Sequence, residues 1–243
     1  MEKGRLCLRL LWQMIKQIAS ETMLILLVID SILAGLVFRL GIPLLETKLL
    51  SRLGYGELLV PYYMYFNWLV ALLTGMLFAF VGALVVLGEI DDGVAKYICV
   101  TPAGTNGYLV ARIFLPAIGS GIFAGIVIPV FSLIRTDLAT LILMIVSTVL
   151  SGIVTSLLVV AISSNKVEGM AIGKLSGGFG MILFVPLVLK GPVQYVFSLF
   201  PMFWIGQYLQ RKNWLALPIA FLLFLGWIYF LMRRFRKKSE IGE

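Results

Sequence analysis

A chain of 243 residues that is 60% hydrophobic and 13% charged, with a mean hydropathy of +1.02, has too little polar surface for water to be its main solvent; soluble domains carry about a quarter charged residues. The absence of histidine excludes His-containing triads, HExxH zinc sites and imidazole proton shuttles. The net charge of +8 does not point to nucleic acid, because the basic residues sit at the ends of apolar segments and in two terminal clusters, not on one soluble face.

Continuous runs rich in Leu, Ile and Phe, each about the 20 residues a helix needs to cross roughly 30 Å of hydrocarbon, predict an all-α integral membrane protein. A β-barrel would show short alternating segments instead. Residues 4–20 open the chain as an amphipathic helix, with Leu11, Met14, Ile15 and Ile18 on one face and Arg5, Arg9, Gln13, Lys16 and Gln17 largely on the other. Such a helix lies in the membrane interface. A signal peptide is the competing reading; the apolar run after Glu21 continues to Phe38 with no convincing small-residue cleavage site, which favours retention.

Six spans are predicted, at residues 23–38, 61–87, 108–133, 138–162, 178–189 and 214–232. The fifth is short for a crossing, and only residues 190–208, interrupted by Pro192 and Pro201, have the apolar content to complete it. That pattern predicts a helix that breaks near the outer face and dips back before the last span. The larger share of the 20 Lys and Arg residues falls at the termini and in the second and fourth loops, including Arg233, Arg234, Arg236, Lys237 and Lys238. Both termini are therefore expected in the cytoplasm, although Arg39, Lys48 and Arg52 lie in the first outer loop. Cys7 and Cys99 then both face the reducing cytosol, and no disulfide is expected.

The loop at residues 88–112 carries the densest signals. Asp91 or Asp92 caps a short predicted helix at 92–99 whose Val94, Tyr97 and Ile98 share one side; Thr101 before Pro102 reads as another start, and Gly104 to Gly107 breaks the chain before the third span. An amphipathic helix at the mouth between two spans suits the docking of a soluble partner. It equally suits a rest on lipid headgroups, and the residues alone leave both readings open. Glu89, Asp91 and Arg112 are expected to form a polar cluster in which each buried charge depends on its partner; snorkelling is the alternative for Arg112.

Glu89-x-Asp91-Asp92-Gly93, Thr101-Pro102 and Arg112 together resemble the permeases of ABC-type-2 exporters. Asn165-Lys166-Val167-Glu168-Gly169 with Ala171 to Gly173 and Lys174, and Phe200-Pro201-Met202-Phe203-Trp204, extend the resemblance over nearly the whole chain, with Met202 where the family often has a second proline. The resemblance implies a single permease domain over residues 1–243, with six spans and re-entrant outer helices at 190–208. It also implies a coupling helix within 89–107 that contacts a separate nucleotide-binding subunit. Cargo is not specified; drugs, lipids and hydrophobic peptides suit the Phe, Met, Leu and Gly content equally.

Gly169-Met-Ala-Ile-Gly173-Lys174-Leu175 is one residue short of a P-loop, and Leu175 replaces the Ser or Thr that would hold magnesium. No cofactor or metal is expected on this chain, so ATP and magnesium belong on a partner ATPase. If the ATPases work as a pair, as the resemblance implies, a second permease copy or a paralogue is needed, as homodimer or heterodimer. Small-residue rows at Ser147, Ser151 and Thr155, at Thr148, Gly152 and Ser156, and at Gly121 and Gly125 permit close helix approach, either between copies or within one chain. Asp30, the one acid well inside a span, and Asn67 are candidates for the cargo path or for buried polar packing. An intramembrane enzyme lacks convergent catalytic groups here. A non-transporting sensor or immunity subunit of the same fold stands as the alternative to an exporter permease.

Overall fold

The computed structural model describes residues 22–50, 59–99 and 104–241, together with Trp12, Gln13, Lys16 and Ser20. Every regular element among them is helical, as the composition requires. The predicted interfacial helix at 4–20 lies outside the described residues except at those four positions, which are helical, with the Lys16 ammonium 4.5 Å from the centre of the Trp12 ring.

Helix α1 spans Thr22–Leu45 and α2 Tyr63–Asp91; a short α3 at Val94–Cys99 follows. Helix α4, Gly104–Leu109, runs through a π turn at Val110–Phe114 into α5, Leu115–Phe131, and α6 covers Leu138–Ile162. Then come α7 at Lys166–Gly177, a 3-10 stretch at Gly178–Phe184 and α8 at Val185–Val188. A second 3-10 stretch at Pro192–Leu199, α9 at Pro201–Arg211 and α10 at Ala216–Ile241 complete the chain.

Five segments among the described residues are long and apolar enough to cross a membrane: Val60–Asp91, Gly107–Phe131, Leu138–Ile162, Lys166–Val188 and Ala216–Lys237. Helix α1 adds 24 residues, about 36 Å of axis at 1.5 Å per residue. The fifth predicted span needs correction. It does not begin at Gly178 and borrow length from residues 190–208; it begins at Lys166 and reaches Val188. Its charges hid this: Glu168 and Lys174 share an exposed face with Val167, Ala171 and Leu175, while Gly169 and Ser176 are buried.

The α2 segment is the hub, 83% buried in its apolar window against 28% to 61% for the other four. It packs on α1, α5, α6 and α7. Contact with α6 is made backbone to backbone. A Cβ added at Gly75 would lie 2.2 Å from the Thr148 carbonyl oxygen, and one at Gly152 would lie 3.0 Å from the Gly75 carbonyl. Beside this crossing the Thr148 hydroxyl donates to the Ala71 carbonyl at 2.9 Å and Ser156 to the Ala79 carbonyl at 2.6 Å, bonds that a lipid-facing hydroxyl does not make. Ser147, Ser151 and Thr155 are buried as well, and a Cβ at Gly121 would meet Val149 at 2.5 Å. These small-residue rows therefore pack within the chain.

The glycines of the P-loop look-alike serve the same end. Leu87 and Phe80 side chains occupy the space where a Cβ would stand at Gly169 and Gly173, at 2.2 and 2.0 Å, so α7 lies close on α2. Residues 190–211 form a hairpin whose tip, Leu199 to Pro201, reaches halfway along α10: Trp227 Nε1 donates to the Leu199 carbonyl at 3.0 Å and the Phe200 ring stacks on Trp227. A buried amide pair, Gln207 to Gln194 at 2.8 Å, ties its two limbs, and Gly206 presses on the Leu183 carbonyl.

At the Asn67 end of α2, the Asn67 amide accepts from Leu133 N–H at 2.8 Å and donates to the Ile134 carbonyl at 3.1 Å, clamping the turn between α5 and α6. On the same side Glu46, just past α1, accepts from the Tyr63 hydroxyl and, at 2.9 Å, from Leu59 N–H. The Tyr63 hydrogen bond holds this carboxyl below its ordinary range.

Two measurements follow from this packing. Gly75→Ala is expected to destabilise the detergent-solubilised chain by about 2–3 kcal/mol, because the clash is with backbone and no rotamer relieves it. Gly119→Ala, with nothing within 4 Å, is expected within about 0.5 kcal/mol of the parent; thermal unfolding midpoints of the two variants check both. Glu46 has a lowered folded-state pKa, so its contribution is present above the ordinary carboxylate value of about 4.3 and is lost as pH falls through the lowered one. The midpoint difference between the parent and Glu46→Gln is therefore expected to shrink on acidification from neutral pH, and a difference that grows would contradict it.

Candidate functional site

The mouth of the bundle opposite Asn67 is built where α2 ends. Glu89, in its last turn, is 6% exposed, and Arg112, in the π turn ahead of α5, is 2% exposed. The guanidinium grips both carboxylate oxygens: Nε donates to Oε2 at 3.1 Å and a terminal nitrogen donates to Oε1. The Tyr108 hydroxyl donates to Oε2 at 2.8 Å. A two-pronged Arg–carboxylate contact fixes orientation as well as distance. Tyr108 and Arg112 are four residues apart on one helix face, and the intervening π turn, a feature often found at functional sites, carries Arg112 inward.

The cluster expected from the sequence is thus present in two of its three members. Asp91 is not in it. Its Oδ2 accepts from Lys166 N–H at 2.9 Å, satisfying a free donor in the first turn of α7, where an acidic group also suits the helix dipole. Asn165 caps the same helix by accepting from Glu168 N–H at 2.8 Å, and Glu168 reaches back to Ser164 N–H at 2.6 Å. Tyr108 takes the third place. The signal that would have found it is the Tyr-x-x-x-Arg spacing ahead of an apolar run, which puts both polar ends on one carboxylate.

Just past these two anchors the chain turns sharply. Asp92 N–H donates to the Gly88 carbonyl at 2.9 Å and Gly93 N–H to Ile90 at 3.1 Å; Gly93 has a φ of +72°, a conformation that a side chain strongly disfavours. Neither aspartate therefore caps α3: Asp92 closes α2, and Asp91 holds α7. Helix α3 then presents Val94 at 42% and Tyr97 at 76% exposure, while Ala95 is buried. Ile98 is half-buried and packs on the apolar cluster that holds Leu87, Tyr108 and Phe235, so the predicted three-residue face has two outward members and one turned in. Thr101 and Pro102 lie outside the described residues. The chain does not break between Gly104 and Gly107; Gly104, at φ +63°, starts α4, and helix continues through the π turn into α5.

The exposed apolar turn of α3 therefore follows directly on an α2 end that is tied to the third span by Glu89, Arg112 and Tyr108 and to α7 by Asp91. Of the remaining candidates, Asn67 is clamped on the α5–α6 turn far from this mouth, and Asp30 is exposed on α1 beside buried Ser31. No group of three or more potential metal ligands occurs among the described residues.

Known proteins place this geometry. Two relatives from Mycobacterium tuberculosis match, the fluoroquinolones export permease protein MT2760 of strain CDC 1551 / Oshkosh and the fluoroquinolones export permease protein Rv2686c of strain ATCC 25618 / H37Rv. Each is 27% identical over 234 residues, covering 87% of this chain and 88% of the relative. No solved structure matches. The family model described as "Fluoroquinolones export permease protein Rv2686c-like" matches residues 14–234, nearly the whole helical bundle with its polar mouth, and the chain belongs to that family of multi-pass membrane permeases.

Proposed function

We propose that this permease is the membrane subunit of an ATP-driven ABC exporter, and that a separate ATPase docks on Val94 and Tyr97. The observation that carries the reading is the burial of Glu89 with Arg112 and Tyr108 directly behind that exposed turn. An ordinary loop helix resting on headgroups has no need of a buried charge pair at its root. A lever does, because a push on its tip must turn whole helices and not bend a loop.

In this reading the mouth at Asp91 faces the cytoplasm, as do both termini, and the six-span topology includes α1. ATP and magnesium bind the partner, and this chain breaks no bonds itself. Two permease copies, identical or paralogous, present one docking turn to each of two ATPases. The dimer surface is sought away from the α2–α6 crossing, because the small-residue rows are used inside the chain. The cargo is a hydrophobic or amphipathic molecule exported from the cytoplasm; the names of the two mycobacterial relatives support a fluoroquinolone or a compound of similar chemistry.

The test is co-purification from native membranes in mild detergent. A P-loop ATPase is expected to accompany the parent chain and to fall at least tenfold with the double variant Val94→Ser and Tyr97→Ser, with the thermal midpoint of the permease unchanged because both side chains are exposed. Recovery of the ATPase in parental amount by the double variant would sink the docking assignment. A well-folded parent that comes down alone would sink the exporter reading itself.

A further inference from the structure

The face of α2 opposite Gly75 is the one its neighbours leave half open. Phe66, Leu73, Leu77 and Phe80 are half-buried along it, spaced so that all four share one side of the helix. Helix α1 borders this strip on one side and α7 on the other: the Phe38 and Phe66 rings lie 6.0 Å apart, and Gly173 presses on the Phe80 ring. Each wall carries an exposed charge, Asp30 on α1 and Lys174 on α7. On α1, turning from Gly35, which meets Phe131 of α5, past Phe38 leads on to Asp30. On α7, Gly169 meets Leu87 of α2 and Val159 of α6. Turning from there past Gly173 and past Met170, which packs on Val81, Leu84 and Val85 of α2, leads to Lys174. Both charges therefore stand beside the open strip, on the sides turned away from α5 and α6.

Neither charge lies at a membrane surface. Asp30 precedes Phe38 by about 12 Å of helix axis, which sets it level with Thr74, close to the middle of the Val60–Asp91 segment. Lys174 follows Gly173 at the level of Phe80, roughly 9 Å nearer the mouth, and its flexible four-carbon stem spans much of that gap. An ionisable side chain at this depth faces protein or water and pairs with an opposite group. Among the described residues neither Asp30 nor Lys174 has an ion-pair or hydrogen-bond partner.

We infer that a second copy of this chain covers this face, with Asp30 of each copy paired to Lys174 of the other. The inference deepens the exporter reading, which calls for two permeases; the complementary charges say where they meet. About a two-fold axis along the membrane normal a surface must complement itself, so a residue that meets another across the axis is met by it in return. One acid and one base flanking an apolar strip satisfy that condition twice, and the two strips close on each other between the pairs. Lipid does not satisfy it, because acyl chains offer a carboxylate or an ammonium no partner and headgroups stay at the surface. The same pairing opposes a slipped association, which would leave both charges uncovered.

The experiment uses the full-length permease carrying two different affinity tags on separate copies in one native membrane, solubilised in mild detergent. The parent copies are expected to co-purify. Asp30→Lys paired with itself, and Lys174→Asp paired with itself, are each expected to lower recovery of the second tag at least about tenfold, because like charges then face each other across the interface. An Asp30→Lys copy mixed with a Lys174→Asp copy is expected to restore it, since each junction again joins opposite charges. A pair formed within one chain could not be restored by mixing. A second measurement covers swapped chains that fail to insert: with Cys7→Ser and Cys99→Ser in both copies, Asp30→Cys on one and Lys174→Cys on the other are expected to be joined by a bifunctional maleimide in the membrane. Parent copies that do not associate, swaps that associate as the parent does, inserted swaps that mixing does not rescue, or cysteines that never join would each overturn the interface. ATPase recovery separates the two readings. Copies that meet through this pair with no ATPase present would contradict the exporter and leave the interface standing, whereas an ATPase bound to permeases indifferent to these charges would refute the interface and leave the exporter.

Discussion

Glu89 and Arg112 are both almost wholly removed from solvent, and a lone charge in either place would cost several kcal/mol. Each side chain is therefore tolerated only while the other grips it, which makes the relative position of α2 and the third span at this mouth close to all-or-none. Replacing both by apolar residues of similar size would leave the bundle about as stable. Stability alone thus does not explain the pair. A fixed angle between two helices at the root of an exposed turn does.

From that joint the rest of the bundle follows outward along α2. Its Gly75 crosses α6 with the backbones in contact, Thr148 and Ser156 hydroxyls bond its carbonyls about one turn to either side, and Gly169 and Gly173 bring α7 onto it near the mouth. Within a bilayer, where apolar burial does not favour helix over lipid, such close approach and interhelical hydrogen bonding are what hold helices together. A central helix locked to its neighbours in this way is tied to α6 and α7 along its length and to the α5–α6 turn at the Asn67 clamp.

Much of this was legible in the sequence, and the misses share a cause. Hydropathy found the apolar segments because membrane length constrains them, and the opposite charges of Glu89 and Arg112 flanking one loop identified the joint. Periodicity missed the start of the fifth segment because Glu168 and Lys174 lower its apolar signal while lying together on an exposed face. Composition cannot distinguish a glycine packed within a chain from one packed between chains, so Ser147, Ser151 and Gly121 were open until α6 was seen against α2 and α5. Tyr108 stands in the place expected of Asp91 for a reason no local pattern contains: Asp91 is claimed by Lys166 N–H, 75 residues away in sequence, and only tertiary packing brings that donor near.

The central claim is that the Glu89–Arg112 joint transmits motion rather than merely stabilising the fold, and a double-mutant cycle on the permease–ATPase complex tests it. Arg112→Met alone is expected to cost about 3–5 kcal/mol of stability by leaving Glu89 buried and unpaired, and Glu89→Leu alone a similar amount, while Glu89→Leu with Arg112→Met recovers most of that loss. The account predicts that the recovered double variant still binds the ATPase yet loses cargo stimulation of ATP hydrolysis, because the oriented grip is gone. A double variant that regains both stability and stimulation would show the pair to be packing alone and would contradict the account.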